Sequence, residues 1–552
     1  MPVSDSSAVP PAEAVGPLMR GLAVLRALTA AGGRRSAGDL VRDTGLARST
    51  VDRVLSTLER LEYVRIAGRD ALLAPPVMEL GNAYLAAVRL PALLGPVADR
   101  LADVLEESVS IAVADGDGAR FVHQAPRRRT MSVAFGVGDL LPAECGAMGA
   151  LLAADWTEAD WARWRERRAA DPDLRGFPAV PPGAARAADS FAERVAFARR
   201  SGWALDDQLI EPGLVALAMP VRDPAGRMCA VSVVSHTSRH TAESLREAML
   251  PRLRETVAEM ERILAEERVR SGETDRGPTG TAERARESKR ALGAEFLQSL
   301  ARGLGVLAAF DEHRPEPTPA ALAQATGLPR ATVRRSLLTL AHLGYVTAAD
   351  GRFRPAPRVL DLGFTPLNGL TLPRIARPHL ARLVERVHDS ASMAVLDGDD
   401  IRYVARVPTV RIMSVEITVG TRFPAYATSM GRVLLAGLPE EERAGRLVRT
   451  DLRPLTRRTV TSPERLAALL DRAARDGYAL VEEELEEGLR SIAVPVRDRD
   501  GRAVAAINVS SHAGRRSAEE TRETVLPPLR EAAAAIERDL HIAGRFVRVP
   551  VG

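Results

Sequence analysis

Lysine, cysteine and long apolar runs are all scarce in this chain of 552 residues. Lys289 is its one lysine, so arginine supplies nearly all the basic charge. The choice of arginine over lysine at a given position therefore carries no functional information. Two cysteines, Cys145 and Cys229, are too few for a disulfide framework. No apolar run reaches the roughly 18 residues of a membrane span, and residues 1–16 lack a signal-peptide core. These absences predict a reduced, cytoplasmic protein with no membrane partner.

What the chain does contain is a long internal repeat. Residues 45–64 read GLARSTVDRVLSTLERLEYV, residues 327–346 read GLPRATVRRSLLTLAHLGYV, and 12 of the 20 positions are identical. The same offset of 282 residues relates 20–22 to 302–304. A period this long exceeds that of solenoid repeats, so it indicates two copies of a whole multi-domain protein in one chain.

Each copy begins with a helical region that has the pattern of a helix-turn-helix. Apolar residues recur at helical spacing in 45–64. A shorter helix precedes each such segment, with Ser36 or Thr318 as its N-cap and Gly45 or Gly327 at its end. Two short strand signals follow, which predict the wing of a winged helix. We therefore expect a DNA-binding head in each copy, whose second helix enters the major groove.

The leading edges of these second helices supply the candidate DNA contacts, because their side chains can donate to phosphates and base edges. These are Arg48, Ser49, Thr50 and Arg53 in the first copy, and Arg330, Thr332, Arg334 and Arg335, with Arg352 in the wing, in the second. Asp52 on the same edge of the first copy could accept from a cytosine amino group or pair with a neighbouring arginine. The alternative is a pair of solvated helices in an α-helical bundle, but two copies with wings favour DNA binding. Segment 327–346 carries three arginines and no acid, whereas 45–64 balances three arginines with three acids. The second head is therefore expected to be the main DNA anchor.

The longer region that follows in each copy alternates strand and helix signals. SVSIAVADGDGARFVHQA and LVALAMPVRDPAGRMCAVSVVS each predict a β-hairpin, and both have counterparts in the second copy. Helices are predicted between the hairpins, at 189–201 and 463–476, and long helices after them, at about 241–268 and 517–541. The pattern predicts an α+β fold around an antiparallel sheet.

These stretches resemble the isocitrate lyase regulator (IclR) family of bacterial transcription factors. The resemblance is carried by RGLAVLRAL, the segment 45–64, the connector PPVMELG and, in the second copy, RIMSVEITVGTRFPAYATSMGRVLLA. FLQSLARGLGVL and FPAYATSMGRVLLAG are similar to regulators of the β-ketoadipate pathway of aromatic acid breakdown. The resemblance implies two winged helix-turn-helix domains and two GAF-like effector-binding domains in tandem, controlling aromatic-compound catabolism. It also implies that each effector-binding domain holds a small carboxylate or aromatic acid.

The resemblance places the effector pocket of the second copy on Ile412, Val415, Ser429, Met430, Val481, Ser491, Asn508 and Ser510. A helix that begins near Ser429 would point unpaired N–H groups at a carboxylate, and the neutral polar groups beside an apolar wall suit a small acid. The alternative is that these serines and the asparagine only satisfy backbone groups at a sheet edge.

The matching positions in the first copy are Thr130, Val133, Ala147, Met148, Asp206, Ala216, Ser232 and Ser235. Ala216 replaces Ser491, and Asp206 adds a negative charge that would repel a bound carboxylate unless one group is protonated. The first pocket is therefore expected either to bind a different ligand or to have lost this function.

Enzymatic and metal-binding interpretations are weaker. Cys145 with His123 could form a nucleophile and base, and His236 with His240 has metal-like spacing, but neither complete pair recurs in the second copy. No glycine-rich phosphate loop is present. We expect no enzyme activity, cofactor or metal. The alternative function is a ligand-sensing or scaffold protein with vestigial heads.

The expected organisation follows from these signals. The predicted order is a disordered arm (1–16), a winged helix-turn-helix domain (17–74), a connector helix (75–90), an effector-binding domain (91–268), a linker (269–290), a second winged helix-turn-helix domain (296–354), a second connector helix (355–372) and a second effector-binding domain (373–541). The expected partners are double-stranded DNA with a palindromic operator, a small organic acid effector and a second copy in a homodimer. One chain could also supply both heads to one DNA site, because tethering gives an effective concentration of about millimolar.

Overall fold

The computed structural model describes residues 11, 13–127, 135–180, 190–270, 296–409 and 417–551, with residues 268–270 described by their backbone alone. It divides into two compact units, Met1–Asn368 and Gly369–Gly552. The predicted α+β class is confirmed, and each copy contributes its own sheet. Most of the predicted arm and linker lies outside the described residues, namely 1–10 and 12 of the arm and 271–290 of the linker.

The first head, residues 16–73, is a three-helix domain with a wing. Its elements are α1 (Gly16–Ala30), β1 (Arg34–Ser36), α2 (Ala37–Thr44), α3 (Arg48–Arg60), β2 (Val64–Ala67) and β3 (Asp70–Leu73). Ser36 caps α2 by accepting the N–H of Asp39 at 3.1 Å, and Gly45 ends it in the left-handed region at φ 68°. The strands form an antiparallel sheet in the order β1-β3-β2. Both helix-end predictions for α2 are therefore confirmed.

A connector helix leads from this head into the first sheet domain, residues 90–270. The elements are α4 (Met78–Val88), α5 (Leu90–Leu105), β4 (Ser108–Asp115), β5 (Gly118–Ala125), β6 (Leu140–Pro142), α6 (Ala147–Leu152), α7 (Glu158–Ala170), α8 (Phe191–Ser201), β7 (Ala204–Asp207), β8 (Leu214–Arg222), β9 (Met228–His236) and α9 (Ala242–Arg270). The antiparallel sheet has the order β6-β5-β4-β9-β8-β7. Helix α6 packs on the face that carries Ala112, Ala218 and Ala230, and α5 and α9 cover the other face.

The second head, residues 296–355, repeats the first with a smaller wing. Its elements are α10 (Gln298–Leu307), α11 (Pro319–Thr326), α12 (Arg330–His342), β10 (Val346–Ala349) and β11 (Arg352–Pro355). Thr318 caps α11 by accepting the N–H of Ala321 at 3.3 Å, and Gly327 ends it at φ 63°. The wing is a two-stranded antiparallel sheet of β10 and β11.

The predicted second connector helix is wrong. The structure has two 3-10 turns there, Pro357–Asp361 and Thr365–Leu367. Gly363 between them has φ 94°, and Pro366 within the second turn lacks an N–H, so a continuous α-helix cannot pass through. This second connector, residues 357–368, belongs to the first unit.

The second connector is attached to the first sheet domain. Arg120 of β5, only 2% exposed, pairs through Nη1 with Asp361 Oδ1 at 2.8 Å. Asn368 Nδ2 donates to the carbonyl oxygen of Val137 at 2.9 Å. The connector of the second head is therefore held by the sheet domain of the first copy.

The second unit, residues 369–551, forms the second sheet domain. Its elements are α13 (Leu372–Val387), β12 (Ser390–Asp397), β13 (Asp400–Val407), β14 (Arg422–Pro424), α14 (Ser429–Ala436), α15 (Glu440–Arg449), α16 (Pro463–Asp476), β15 (Ala479–Glu482), β16 (Leu489–Arg497), β17 (Ala503–His512), α17 (Ala518–Thr524) and α18 (Leu526–Ala543). The sheet order, β14-β13-β12-β17-β16-β15, repeats that of the first. The single terminal helix predicted at 517–541 is wrong, because two prolines at the start of α18 end the preceding helix at Thr524.

Candidate nucleic-acid interface and ligand pocket

The recognition helices α3 and α12 present their leading edges to solvent. Arg48, Ser49, Asp52 and Arg53 are exposed and Thr50 is half-buried. In the second head Arg330, Arg334, Arg335 and Arg352 are exposed and Thr332 is half-buried. The opposite face of each helix is buried, through Val51 and Leu58 in α3 and through Val333 and Leu340 in α12. The structure thus brings the candidate DNA contacts of each head to one accessible edge.

Two of these arginines are already paired with carboxylates. Arg48 Nε lies 3.0 Å from Asp52 Oδ1, one helical turn along α3. Arg334 Nη1 lies 2.6 Å from Oε2 of Glu13, which precedes α1 of the first head. Because exposed ion pairs contribute only about 0–1 kcal/mol, a phosphate can replace either carboxylate at little cost. Asp52 is thus paired with a neighbouring arginine of its own helix in this structure.

Four predicted pocket residues of the second sheet domain form one hydrogen-bonded cluster. Strand pairing places Val481 opposite Ser491 and Ser491 opposite Ser510. Ser491 Oγ lies 2.7 Å from Ser429 Oγ and accepts Nδ2 of Asn508 at 2.9 Å. The same Nδ2 lies 2.9 Å from Ser510 Oγ. Ser491 is therefore the centre of the cluster.

The cluster leaves hydrogen-bonding capacity for a ligand. Asn508 is 2% exposed, and its Oδ1 has no hydrogen-bond partner within the described part of the chain. Either orientation of the amide leaves one of its two polar atoms unsatisfied. Helix α14 begins here, with Thr428 Oγ1 accepting the N–H of Gly431 at 3.1 Å. The N–H groups of Ser429 and Met430 in its first turn have no helical acceptor.

A small cleft, partly open to solvent, adjoins the cluster. Its apolar wall comes from Tyr403, Ile417, Met430, Val481, Leu485 and Leu489. The sequence did not lead us to predict Tyr403 as a pocket residue. Its burial raises its pKa to about 12. The available signal was the alternation of side-chain faces along β13, counted from the Asp399-Asp400 turn. Nor did the sequence lead us to predict Glu484, which lines the cleft and pairs with buried Arg432, Nη2 to Oε2, at 2.5 Å. Ile412 and Val415 lie outside the described residues.

The equivalent region of the first sheet domain lacks most of these polar groups. Ser232 pairs with Ala218 as Asn508 pairs with Ala493, so Ser232 holds the position of the asparagine. Its Oγ is buried and has no hydrogen-bond partner among the residues that the structure covers. Thr130 and Val133 lie outside that part of the chain.

The placement of Ser235 at the position of Ser510 is wrong. Val234, opposite Ala216, occupies that position. Ser235 is one residue further along β9 and therefore faces the other side of the sheet, where its Oγ donates to Glu107 Oε1 at 2.9 Å. Ala147 and Met148 begin α6 as Ser429 and Met430 begin α14, so one further hydroxyl is absent from the first domain.

Asp206 introduces an ionisable group at one of the matched pocket positions. It lies opposite Ala216, as Val481 lies opposite Ser491, and is 3% exposed. Burial raises its pKa to about 7, although Oδ1 accepts the N–H of Leu209 at 2.8 Å and Arg194 is near. Asp206 is therefore partly protonated at neutral pH.

His123, Cys145 and His236, the candidates for catalysis or metal binding, are hydrogen-bonded or buried within the fold. His123 Nε2 lies 2.9 Å from Asp99 Oδ1. Burial raises the pKa of the Cys145 thiol to about 12, which opposes formation of a nucleophilic thiolate. His236 Nδ1 lies 2.9 Å from Ser238 Oγ. Within the described ranges no group of three or more His, Cys, Asp or Glu residues is placed to hold a metal ion.

No single described helix is long and apolar enough to cross a membrane, although residues 75–88 and 90–105, bent by 80°, meet that criterion as a pair.

Two family models each match the chain twice. The IclR helix-turn-helix domain matches residues 17–66 and 299–350, and the bacterial transcriptional regulator IclR C-terminal domain matches 82–262 and 364–538. The chain belongs to the IclR family. The resemblance seen in the sequence is thereby confirmed for both copies, and the heads and sheet domains described above are the IclR DNA-binding and C-terminal domains.

Individual IclR regulators correspond to about half of this chain. The Pca regulon regulatory protein of Pseudomonas putida is 45% identical over 247 residues, which cover 45% of this chain and 84% of that protein. The p-hydroxybenzoate hydroxylase transcriptional activator of Acinetobacter baylyi is 34% identical over 244 residues, covering 43% and 90%. A solved regulator structure from Rhodococcus sp. RHA1 is 50% identical and covers 45% of this chain and 100% of its own, with a TM-score of 0.44.

Proposed function

We propose that this IclR regulator controls genes of aromatic-compound breakdown in the cytoplasm, and that a small organic acid bound in its second sheet domain changes its affinity for DNA. It acts by binding rather than by catalysis. The observation that carries the proposal is the cluster around Ser491, whose hydroxyl, amide and helix N-terminal groups converge on one cleft.

The chemistry of that cleft suits an aromatic carboxylate. The carboxylate would accept hydrogen bonds from the first turn of α14 and from Ser429, where the helix dipole also favours negative charge. The ring would lie against Val481, Leu485 and Leu489. The unsatisfied atom of Asn508 is available for a ring hydroxyl. The relatives' names, which include the Pca regulon and p-hydroxybenzoate hydroxylase, support p-hydroxybenzoate as the first ligand to test.

Removal of the central hydroxyl tests this site. Ser491→Ala should weaken p-hydroxybenzoate binding about 5- to 150-fold, because losing a buried hydrogen-bond partner costs about 1–3 kcal/mol. Isothermal titration calorimetry on the full chain measures the affinity. Ser511→Ala is the matched control, since Ser511 follows Ser510 on β17 and faces the opposite side of the sheet. Unchanged affinity in folded Ser491→Ala would remove the site assignment.

DNA is the proposed macromolecular partner. The exposed edges of α3 and α12 support it, because each presents arginines and hydroxyls beside a buried face. The greater excess of basic residues on α12 supports the second head as the stronger contributor to phosphate binding. A gel shift with the intergenic DNA beside the gene tests binding. Failure of the full chain to shift that DNA, with or without p-hydroxybenzoate, would favour the alternative of a ligand sensor with vestigial heads.

A further inference from the structure

The two heads pack against each other through their first helices, α1 and α10. A Cβ on Gly21 of α1 would lie 2.2 Å from Leu300 Cδ1 of α10. A Cβ on Gly303 of α10 would lie 2.5 Å from Leu18 Cδ2 of α1. Leu18 and Leu300 are fully buried, each at 0% exposure. Each glycine therefore leaves the space that the leucine of the other head fills.

Hydrogen bonds join each first helix to the recognition helix of the other head. The N–H of Leu297, just before α10, donates to Thr57 Oγ1 of α3 at 3.0 Å. The N–H of Val15, just before α1, donates to Thr339 Oγ1 of α12 at 3.0 Å. Both threonines are 0% exposed. Val15 belongs to the arm predicted to be disordered, and Thr339 satisfies its backbone amide instead. These contacts fix the position of one recognition helix relative to the other.

Every one of these contacts is present twice, with the copies exchanged. The offset of 282 residues relates Gly21 to Gly303, Leu18 to Leu300, Val15 to Leu297 and Thr57 to Thr339. An interface that maps onto itself when its two sides are exchanged has two-fold symmetry. Such symmetry usually relates two identical chains. Here it relates two parts of one chain, and it places the recognition helices in inverted orientation.

The surfaces presented to DNA do not share this symmetry. Asp52 of α3 has Arg334 as its counterpart on α12, and the wing has three strands in the first head but two in the second. We infer that one chain reads an inverted pair of unequal half-sites by itself, without a second copy of the chain. This inference rests on the proposed DNA-binding function and replaces the palindrome and homodimer expected from the family.

Selection of binding sites by the full chain tests the inference. Duplexes are selected from a random-sequence library, and mass photometry counts the chains on the selected duplex. One chain should bind each duplex, and the recovered site should have two different halves. Arg48→Ala should weaken binding about 5- to 150-fold and relax sequence preference in one half, since a base contact is worth about 1–3 kcal/mol. Arg330→Ala should do the same in the other half.

The possible outcomes distinguish failure of this inference from failure of the proposed DNA-binding function. Two chains on a palindromic site, or loss of preference in both halves from either variant, would overturn the inference alone. A library that yields no site contradicts DNA binding itself, and the inference falls with it. One chain on a two-part site supports both.

Disruption of the head pairing provides a second measurement. Gly21→Leu combined with Gly303→Leu should weaken binding to the selected duplex at least tenfold, because the heads lose their shared geometry and part of their effective concentration. Binding to a duplex with only one half-site should change little. Leucine also has a higher helix propensity than glycine, so loss of helix does not explain the effect. Gly369→Leu is the control, as that residue is exposed with no atom within 4 Å of a Cβ. Equal affinity of the double variant for the whole site would contradict fixed pairing.

Discussion

Asp206 makes the two sheet domains differ chemically at one matched pocket position. Its pKa of about 7 keeps it partly charged at neutral pH. At the matching position the second domain has the apolar Val481. Alanine also stands at the Ser429 and Ser491 positions of the first domain. A carboxylate would therefore meet a partial negative charge there and fewer donors. We expect an aromatic acid to bind the second domain in preference to the first.

The same buried carboxyl makes the stability of the first sheet domain depend on pH. Its folded pKa lies above the unfolded value, so the folded state binds more protons between about pH 4 and 7. Ionising this buried carboxyl lowers the stability of the folded state. The loss of stability is absent below that pH window, grows as the pH rises through it and is complete above it. Asp206→Asn removes the charge while keeping the shape. Relative to the unsubstituted chain, the free energy of unfolding of the variant should therefore increase by roughly 2–3 kcal/mol more at pH 8 than at pH 5.

Urea unfolding followed by tryptophan fluorescence measures this gain. All four tryptophans, Trp156, Trp161, Trp164 and Trp203, belong to the first sheet domain, so the signal reports that domain. Asp207→Asn is the control, because this neighbour is exposed. A gain of equal size at both pH values would show that Asp206 is not the titrating group.

At the scale of helices and strands, the sequence predicted what depends on local signals. The caps Ser36 and Thr318 and the ends Gly45 and Gly327 follow from side-chain and backbone preferences within one turn. The prediction of a second connector helix was wrong because its likeness to the first connector concealed the effect of Gly363. The placement of Ser235 was wrong because a shift of one residue in strand register moves a side chain to the other face of the sheet. The family resemblance predicted the pocket positions, whereas their convergence on Ser491 became evident only from the strand pairing in the structure.

Helix α14 is joined to the turn after β15 by a buried ion pair that the first copy lacks. Arg432 and Glu484 are 3% and 8% exposed, and Ala150 and Leu209 stand at the equivalent positions. Glu484→Leu alone should destabilise the second sheet domain by roughly 3–5 kcal/mol, since it leaves Arg432 buried without its counter-charge. Adding Arg432→Ala should recover part of that loss by removing the unpaired charge.

Thermal unfolding of the full chain, followed by circular dichroism, compares the four members of this double-mutant cycle. Arg499→Ala, at an exposed arginine of the same domain, controls for loss of positive charge. If the double variant is less stable than Glu484→Leu by the full cost of Arg432→Ala alone, the two side chains do not interact and the assignment fails.

At the scale of the whole molecule, the contacts between the copies were not predictable from the sequence. The Gly21–Leu300 contact and the Arg120–Asp361 pair each join residues more than 200 positions apart, and neither has a local signature. Their presence means that the halves should stay together without the covalent link. After cleavage at a protease site introduced between residues 271 and 295, both fragments should elute as one species in size-exclusion chromatography at micromolar concentration.

Loss of the Arg120–Asp361 pair should weaken this association. Arg120→Met in the same cleavable chain should promote separation of the fragments on dilution, because it leaves Asp361 without its buried partner. Arg499→Met is the control, since it removes an exposed arginine that is distant in sequence from both contacts. Fragments that separate at micromolar concentration without any substitution would contradict strong pairing between the copies.

Fusion of the two heads also changes what a single mutation can do. In a regulator built from identical chains, any substitution in a recognition helix appears twice, and both half-sites must accommodate it together. Here the leucines and glycines that join α1 to α10 preserve the arrangement while Asp52 and Arg334 have diverged. If one chain reads both half-sites, as inferred above, each half of an operator can change alongside its own helix, one base pair at a time. Such a gene would adopt new target sites by small steps that are closed to a symmetric dimer.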